Sequence, residues 1–167
     1  KTSIEKIKEI MGNCAKIMEE NRPRLIAAMM RDGGKTISEA DPEISEAIDF
    51  VRFYALSAQN LNKESSAHGV VVIAPPWNFP YAIPMGGIAA ALVSGNSVIF
   101  KPAPETVLIA WELVNQLWEA GVPKSVLHFL PTEDNEVGKY LITHKDVDTV
   151  VLTGSYETAL LFKKWKP

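Results

Sequence analysis

The sequence predicts an α/β protein in which N-terminal helices precede an open parallel sheet with helices on both faces. Three observations lead there. The first sixty or so residues show apolar residues at helical spacing only. From Gly69 onward, short apolar runs alternate with helix-length segments in a strand–turn–helix rhythm repeated four times. Those runs are nearly continuous, as expected of parallel strands covered on both faces.

The elements follow in order. Ile4, Ile7, Ile10, Met11, Cys14, Ile17 and Met18 form one helical stripe. Asn21 is placed to cap a second helix carrying Leu25, Ala28 and Met29, which Asp32-Gly33-Gly34 breaks. A third helix is expected from Asp41-Pro42-Glu43, with Asp as cap and Pro in the first turn. Its stripe is Ile44, Ala47, Ile48, Val51, Tyr54, Ala55 and Ala58, and the polar stretch Asn60 to Ala67 reads as a linker. The expected strands are Val70–Ala74, Ser97–Phe100, Val126–Leu130 and Val147–Leu152. The expected helices among and after them are Pro84–Ser94, Glu105–Ala120, Asp134–Thr143 and Ser155–Trp165, with Gly95 and Gly121 at helix C-termini. The chain thus divides into a helical segment, 1–62, and an α/β part, 69–167.

Composition excludes several classes. The 167 residues are 47% hydrophobic, enough for a core. Seventeen basic residues are scattered among 20 acidic ones for a net charge of −3, so neither a nucleic-acid stripe nor an acidic tail is present. The apolar runs are short and broken by Gly and Pro, so none is expected to span a membrane. Lys1-Thr2-Ser3-Ile4-Glu5-Lys6 has no signal-peptide stretch, and the single Cys14 excludes an intrachain disulfide. Both fit a cytoplasmic protein.

In an open parallel sheet, ligands bind beyond the carboxyl ends of the strands. Asn78 lies there, between prolines and aromatics in Pro75-Pro76-Trp77-Asn78-Phe79-Pro80. Its amide could donate to a developing oxyanion, or could bond its own turn. Lys101 ends the second strand, where it either reaches solvent along its stem or holds a ribose hydroxyl or phosphate. Thr153-Gly154-Ser155 is a strand-to-helix turn whose free N–H groups suit a pyrophosphate, or an ordinary capped turn. A Gly-x-Gly-x-x-Gly fingerprint is absent. His68, His128 and His144 lack metal-ligand spacing, so no metal site is expected, and His128, within a strand, is expected to be packed. Cys14 falls on an apolar stripe without a basic neighbour and is read as a packing residue.

Taken together, Pro76-Trp77-Asn78-Phe79-Pro80, then Gly95-Asn96-Ser97-Val98-Ile99-Phe100-Lys101-Pro102, Ala120-Gly121-Val122-Pro123 and Leu152-Thr153-Gly154-Ser155 resemble the aldehyde dehydrogenase superfamily in order and spacing. Gly34-Lys35-Thr36 and the segment Glu43 through Tyr54-Ala55 agree with it. The wording of Gly154–Ala159 and Trp165-Lys166-Pro167 is most similar to the glutamate-semialdehyde (1-pyrroline-5-carboxylate) dehydrogenase module of bifunctional proline-utilisation proteins.

The resemblance implies a Rossmann-like NAD-binding domain, here partial, with NAD as cofactor and NADP possible. It implies an aldehyde substrate, oxidation to the acid, and a homo-oligomer. Asn78 would then donate to the thiohemiacetal oxygen. Pro76, Trp77, Lys101, Glu105, Gly138, Thr153, Gly154 and Ser155 would hold the cofactor: Lys101 at the adenosine ribose, Gly154 and Ser155 against the pyrophosphate, and Val137 and Gly138 beside the adenine. One spacing departs from the family's pattern. Pro104 stands where many members carry an acidic residue, and Glu105 follows it. The family's Glu-Leu-Gly-Gly-Lys and Gly-Gln-x-Cys segments are absent, so the chain is expected to lack the catalytic domain and to be inactive alone. A non-catalytic nucleotide-binding or assembly module is the alternative.

Overall fold

In the computed structural model, residues 3–61, 65–133 and 135–166 are described. Part of the expected linker (62–64) and Asp134, the expected start of the helix before the fourth strand, lie outside them. Three helices come first: α1 (Ile4–Glu20), α2 (Arg22–Gly33) and α3 (Ile37–Ser57). There follow β1 (Val70–Ala74), α4 (Ala82–Val93), β2 (Ser97–Phe100), α5 (Val107–Glu119), β3 (Leu127–Phe129), α6 (Glu136–Thr143), β4 (Thr149–Leu152) and α7 (Tyr156–Trp165).

The first helix is laid down as its stripe predicts. Ile10, Met11, Cys14 and Met18 are buried, with Ile7 and Ile17 against them. Asn21 stands at the N-cap of α2 as expected, but its side chain makes no capping bond there and its amide donates instead to the Ile17 carbonyl of α1 at 2.9 Å. Pro23 lies in the first turn of α2 and Gly34, at φ 65°, caps its end. The third helix begins earlier than Asp41-Pro42 suggests. Thr36 and Glu39 form a capping box, with the Thr36 N–H donating to Glu39 at 2.8 Å. Pro42 therefore sits inside the helix. Its missing N–H leaves the Ser38 carbonyl without a helical partner, and Ser38 is exposed, so water can satisfy it.

All strand pairs are parallel, in the order β3-β2-β1-β4. Alternate residues face opposite layers. Val71, Ile73, Val98 and Phe100 share one core with α1 to α5. Val70, Val72, Ile99 and Val150 pack with Leu141, Ile142, Val147 and Phe162 on the other side. Helices thus cover both faces, but coverage is complete only at the centre: β1 is almost wholly buried, whereas the edge strands β3 and β4 are partly exposed. His128 shows this directly. It lies exposed on edge strand β3, which corrects the expectation that it is packed. Val126, Leu130 and Val147 fall just outside the ladders, so β3 and β4 are shorter than the apolar runs.

The N-terminal helices dock chiefly through α4, which is buried along most of its length. Glycines permit the contact. A Cβ on Gly86 would lie 3.1 Å from the Phe50 ring of α3, and one on Gly87 would lie 3.3 Å from Ile73 of β1. Among the described residues no helix is long and apolar enough to cross a membrane.

Candidate functional site: a cleft at the sheet's switch point

Strand order reverses between β1 and β4. The chain runs outward through β2 and β3, then returns to the other side of β1. Loops leaving β1 and β4 must therefore diverge to opposite faces, which opens a crevice at their carboxyl ends. A cleft of about 710 Å³ occupies this place. Its walls bring together Pro76, Trp77, Asn78, Lys101, Glu105, Gly138, Thr153, Gly154 and Ser155, whereas Val137, expected beside the adenine with Gly138, is exposed and does not line it.

The β1–α4 turn carries Asn78 on one wall. Asn78, Trp77 and Phe79 are exposed. The Asn78 side chain makes no hydrogen bond among the described residues, so its amide is not spent on its own turn. The turn is held from behind by groups that sequence reading did not assign. Glu43 of α3, 2% exposed, accepts from the Tyr81 N–H at 2.8 Å and the Ala82 N–H at 3.0 Å. Its other oxygen pairs with the Lys35 ammonium, which lies 4.4 Å from the centroid of the Phe79 ring. The Tyr81 hydroxyl donates to buried Gln116, and burial pushes that phenol well above its ordinary range. Asp32 does for α5 what Glu43 does for α4: its carboxylate accepts from the Ile109 N–H at 3.1 Å.

Lys101, 6% exposed, leaves the end of β2 and forms the floor. Gly138 of α6 lies against it, where a Cβ would come within 3.5 Å of Lys101 Cε. Beside this contact is Thr132, whose buried hydroxyl has no hydrogen-bond partner among the described residues. Nothing in the sequence singles out Thr132, since only the fold places it next to Gly138.

The opposite wall is the β4–α7 turn. Ser155 caps α7, its Oγ accepting from the Thr158 N–H at 3.2 Å. Thr153, Gly154 and Ser155 are exposed. Gly154 has no left-handed backbone, and a Cβ there would make only an ordinary 3.7 Å contact with Leu152. Cys14 lies apart from the cleft, buried at the centre of α1, its thiol pushed up to about 12 by desolvation. Such a thiol stays protonated and unreactive near neutral pH.

Comparison with known proteins agrees with this architecture. The profile of the Aldehyde dehydrogenase family matches residues 1–164. The chain is 43% identical over 158 residues to the bifunctional protein PutA of Klebsiella aerogenes, covering 93% of this chain and 12% of that protein. It is 38% identical over 164 residues to a 1-pyrroline-5-carboxylate dehydrogenase of Staphylococcus aureus, covering 90% of this chain and 32% of that protein. Among solved structures it superposes on proline utilization A from Corynebacterium freiburgense with a TM-score of 0.94 at 42% identity, over 99% of this chain and 18% of that one. An NAD-dependent benzaldehyde dehydrogenase from Corynebacterium glutamicum matches with a TM-score of 0.91 at 27% identity, over 98% of this chain and 39% of that one. The chain therefore spans a third or less of the curated relatives it matches. With a family profile aligned along nearly its whole length and the same fold recurring in these relatives, the chain belongs to the aldehyde dehydrogenase family.

Proposed function

We propose that the chain is the NAD(P)-binding part of an enzyme that oxidises an aldehyde to its carboxylic acid, glutamate semialdehyde in proline catabolism being the substrate. The observation that carries this reading is the switch-point cleft, which gathers Asn78, Lys101, Gly138 and the Thr153–Ser155 turn from four separate segments of the chain. The substrate follows from the similarity to PutA and 1-pyrroline-5-carboxylate dehydrogenase.

The residues present fit a dinucleotide. Buried Lys101 and the Thr132 hydroxyl, which has no hydrogen-bond partner among the described residues, both border the Gly138 position, and donors of this kind suit ribose hydroxyls. Neither backbone geometry nor packing within the chain calls for glycine at 154, which leaves close approach by an external group as its use. NAD(P), when bound, supplies the hydride acceptor. The chain's own part is to hold and orient. Lys101 donates to the adenosine ribose, the Gly154–Ser155 turn donates N–H groups to the phosphates, and α6 at Gly138 borders the adenine. Glu105, exposed on the rim between β2 and α5, favours a free 2′-hydroxyl and hence NAD over NADP. Asn78 presents its amide to the substrate oxygen as negative charge builds there.

A second reading has one observation in its favour. The only cysteine, Cys14, is buried and protonated, so the 167 residues alone offer no thiolate. Binding without turnover is then the expected behaviour of this chain by itself. Calorimetric titration with NAD and NADP, beside an assay with glutamate semialdehyde, tests both parts. Binding of NAD without reduction is expected. Absence of binding, or turnover that survives Cys14→Ala, would overturn the assignment.

A further inference from the structure

The three N-terminal helices give the cleft no lining residue, since everything on its walls belongs to the α/β part. They reach it at one point all the same. The turn between α2 and α3 carries Lys35, whose ammonium lies 4.4 Å from the centroid of the Phe79 ring. Phe79 follows Asn78 directly, is 41% exposed and lines the cleft. The Lys35 side chain is only 11% exposed. Its charge is thus held largely away from water, where attraction to the face of a ring is strongest.

We propose that Lys35 is a positioning residue for Asn78: through the Phe79 ring it lends the rigidity of the N-terminal helices to the turn, so that the amide faces the substrate oxygen without reorganisation. This rests on the reading of Asn78 as the donor to that oxygen. Three features support it. The Asn78 side chain makes no hydrogen bond among the described residues, so its direction is set by the backbone that carries it. Lys35 is itself fixed. Its ammonium pairs with Glu43, and its N–H donates to the Met29 carbonyl of α2 at 3.3 Å. The same turn also touches the next residue along, since a Cβ on Gly33 would lie 3.9 Å from Pro80 Cγ. With Glu43 holding the Tyr81 and Ala82 N–H groups, the four residues after Asn78 are each held from the helical side. Lys35 is the member of this set that acts on the immediate neighbour of Asn78.

The test reads amide order parameters across the 167-residue chain by NMR relaxation. In the unmodified chain the Asn78 and Phe79 N–H groups should be rigid, with values of about 0.85. Lys35→Met keeps the stem and removes the charge. Both values should then fall below about 0.6, while Gly154 and Ser155 on the opposite wall keep theirs. Lys35→Arg returns a cation to the ring and should restore the order. A lysine with only a structural role would lower the melting temperature in Lys35→Met and leave Asn78 as rigid as before. Phe79→Leu removes the ring but keeps the Lys35–Glu43 pair, and Asn78 should loosen there too, which decides the question if Lys35→Met does not fold. The proposal is overturned if Asn78 is already mobile in the unmodified chain, or stays rigid in either Lys35→Met or Phe79→Leu. It is overturned equally if Lys35→Arg restores nothing, or if Gly154 and Ser155 loosen in step with Asn78. Failure of the unmodified chain to bind NAD would instead sink the reading of the cleft, leaving the order parameters to judge Lys35.

Discussion

The Lys101 side chain lies along Gly138, at a point where a Cβ would stand 3.5 Å from Lys101 Cε and 2.8 Å from the Glu133 carbonyl oxygen. The second distance is shorter than real Cβ contacts allow, and backbone cannot step aside as a side chain can. Gly138→Ala should therefore displace both the loop before α6 and the lysine. The expected cost is about 1–3 kcal/mol, typical of overpacking. Denaturant melts would measure it. If stability and NAD affinity are both unchanged, the contact has no role in placing Lys101.

Lys101→Ala should weaken NAD binding by roughly ten- to a hundredfold, the loss of one charge-assisted hydrogen bond of about 1.5–3 kcal/mol. Asn78→Ala should leave binding nearly intact, because its proposed partner is the reacting oxygen. Calorimetric titration of the two variants separates the roles, and the opposite pattern would show them assigned the wrong way round.

Cys14 supplies a prediction at alkaline pH. Burial raises its thiol from an ordinary 9.0 to about 12. A raised pKa means that the folded state binds the proton more tightly than the unfolded one. The associated stability is fully present below pH 9.0 and is lost as pH rises toward 12. Cys14 should resist alkylation in the native chain at neutral pH and react only as the chain unfolds. Cys14→Ala should remove this part of the alkaline loss. Rapid labelling without unfolding would contradict the burial.

At the acid end, Glu39 behaves in the opposite sense. Hydrogen bonds from the Thr36 backbone and then the Thr36 side chain, more than the nearby Lys35 charge, hold its carboxyl below the ordinary 4.5. A lowered pKa gives stability that is present above 4.5 and lost as pH falls through the folded value. Glu39→Gln should flatten the fall of melting temperature on acidification. Equal slopes for the two chains would mean that the capping box does not titrate as part of folding.

Much of the α/β half was legible because its punctuation is strong. Strands β1 and β2 are bounded by Gly69 and Pro75, and by Asn96 and Pro102, and they form over the expected residues. The edge strands were read too long, since Val126 and Val147 are apolar for packing yet lie outside the ladder. The start of α3 was misplaced because Asp41-Pro42 carries a strong local signal, while the Thr36–Glu39 box lies one turn earlier. Apart from Gly138, which lies in α6, the candidate residues sit on loops that end strands, where the sequence places them. The groups behind them were not legible. Glu43 meets Tyr81 across 38 residues and Asp32 meets Ile109 across 77, and no local pattern announces a carboxylate that will cap another helix.

The strand order also fixes what a ribosome can finish, and when. As the chain emerges, α1 to α3 can bury their stripes as soon as α4 and α5 arrive, and β1, β2 and β3 can pair in sequence. The second edge of β1 must wait for β4, whose partner residues Thr149–Leu152 appear on the order of 4–16 s after Val71–Ala74 at ordinary rates of synthesis. Val72 gains cover from α6 only late in that interval, and until its end the cleft has only one wall. Any cofactor is thus bound by a layer that is already folded. It can stabilise the last helix, but it arrives too late to guide the first three.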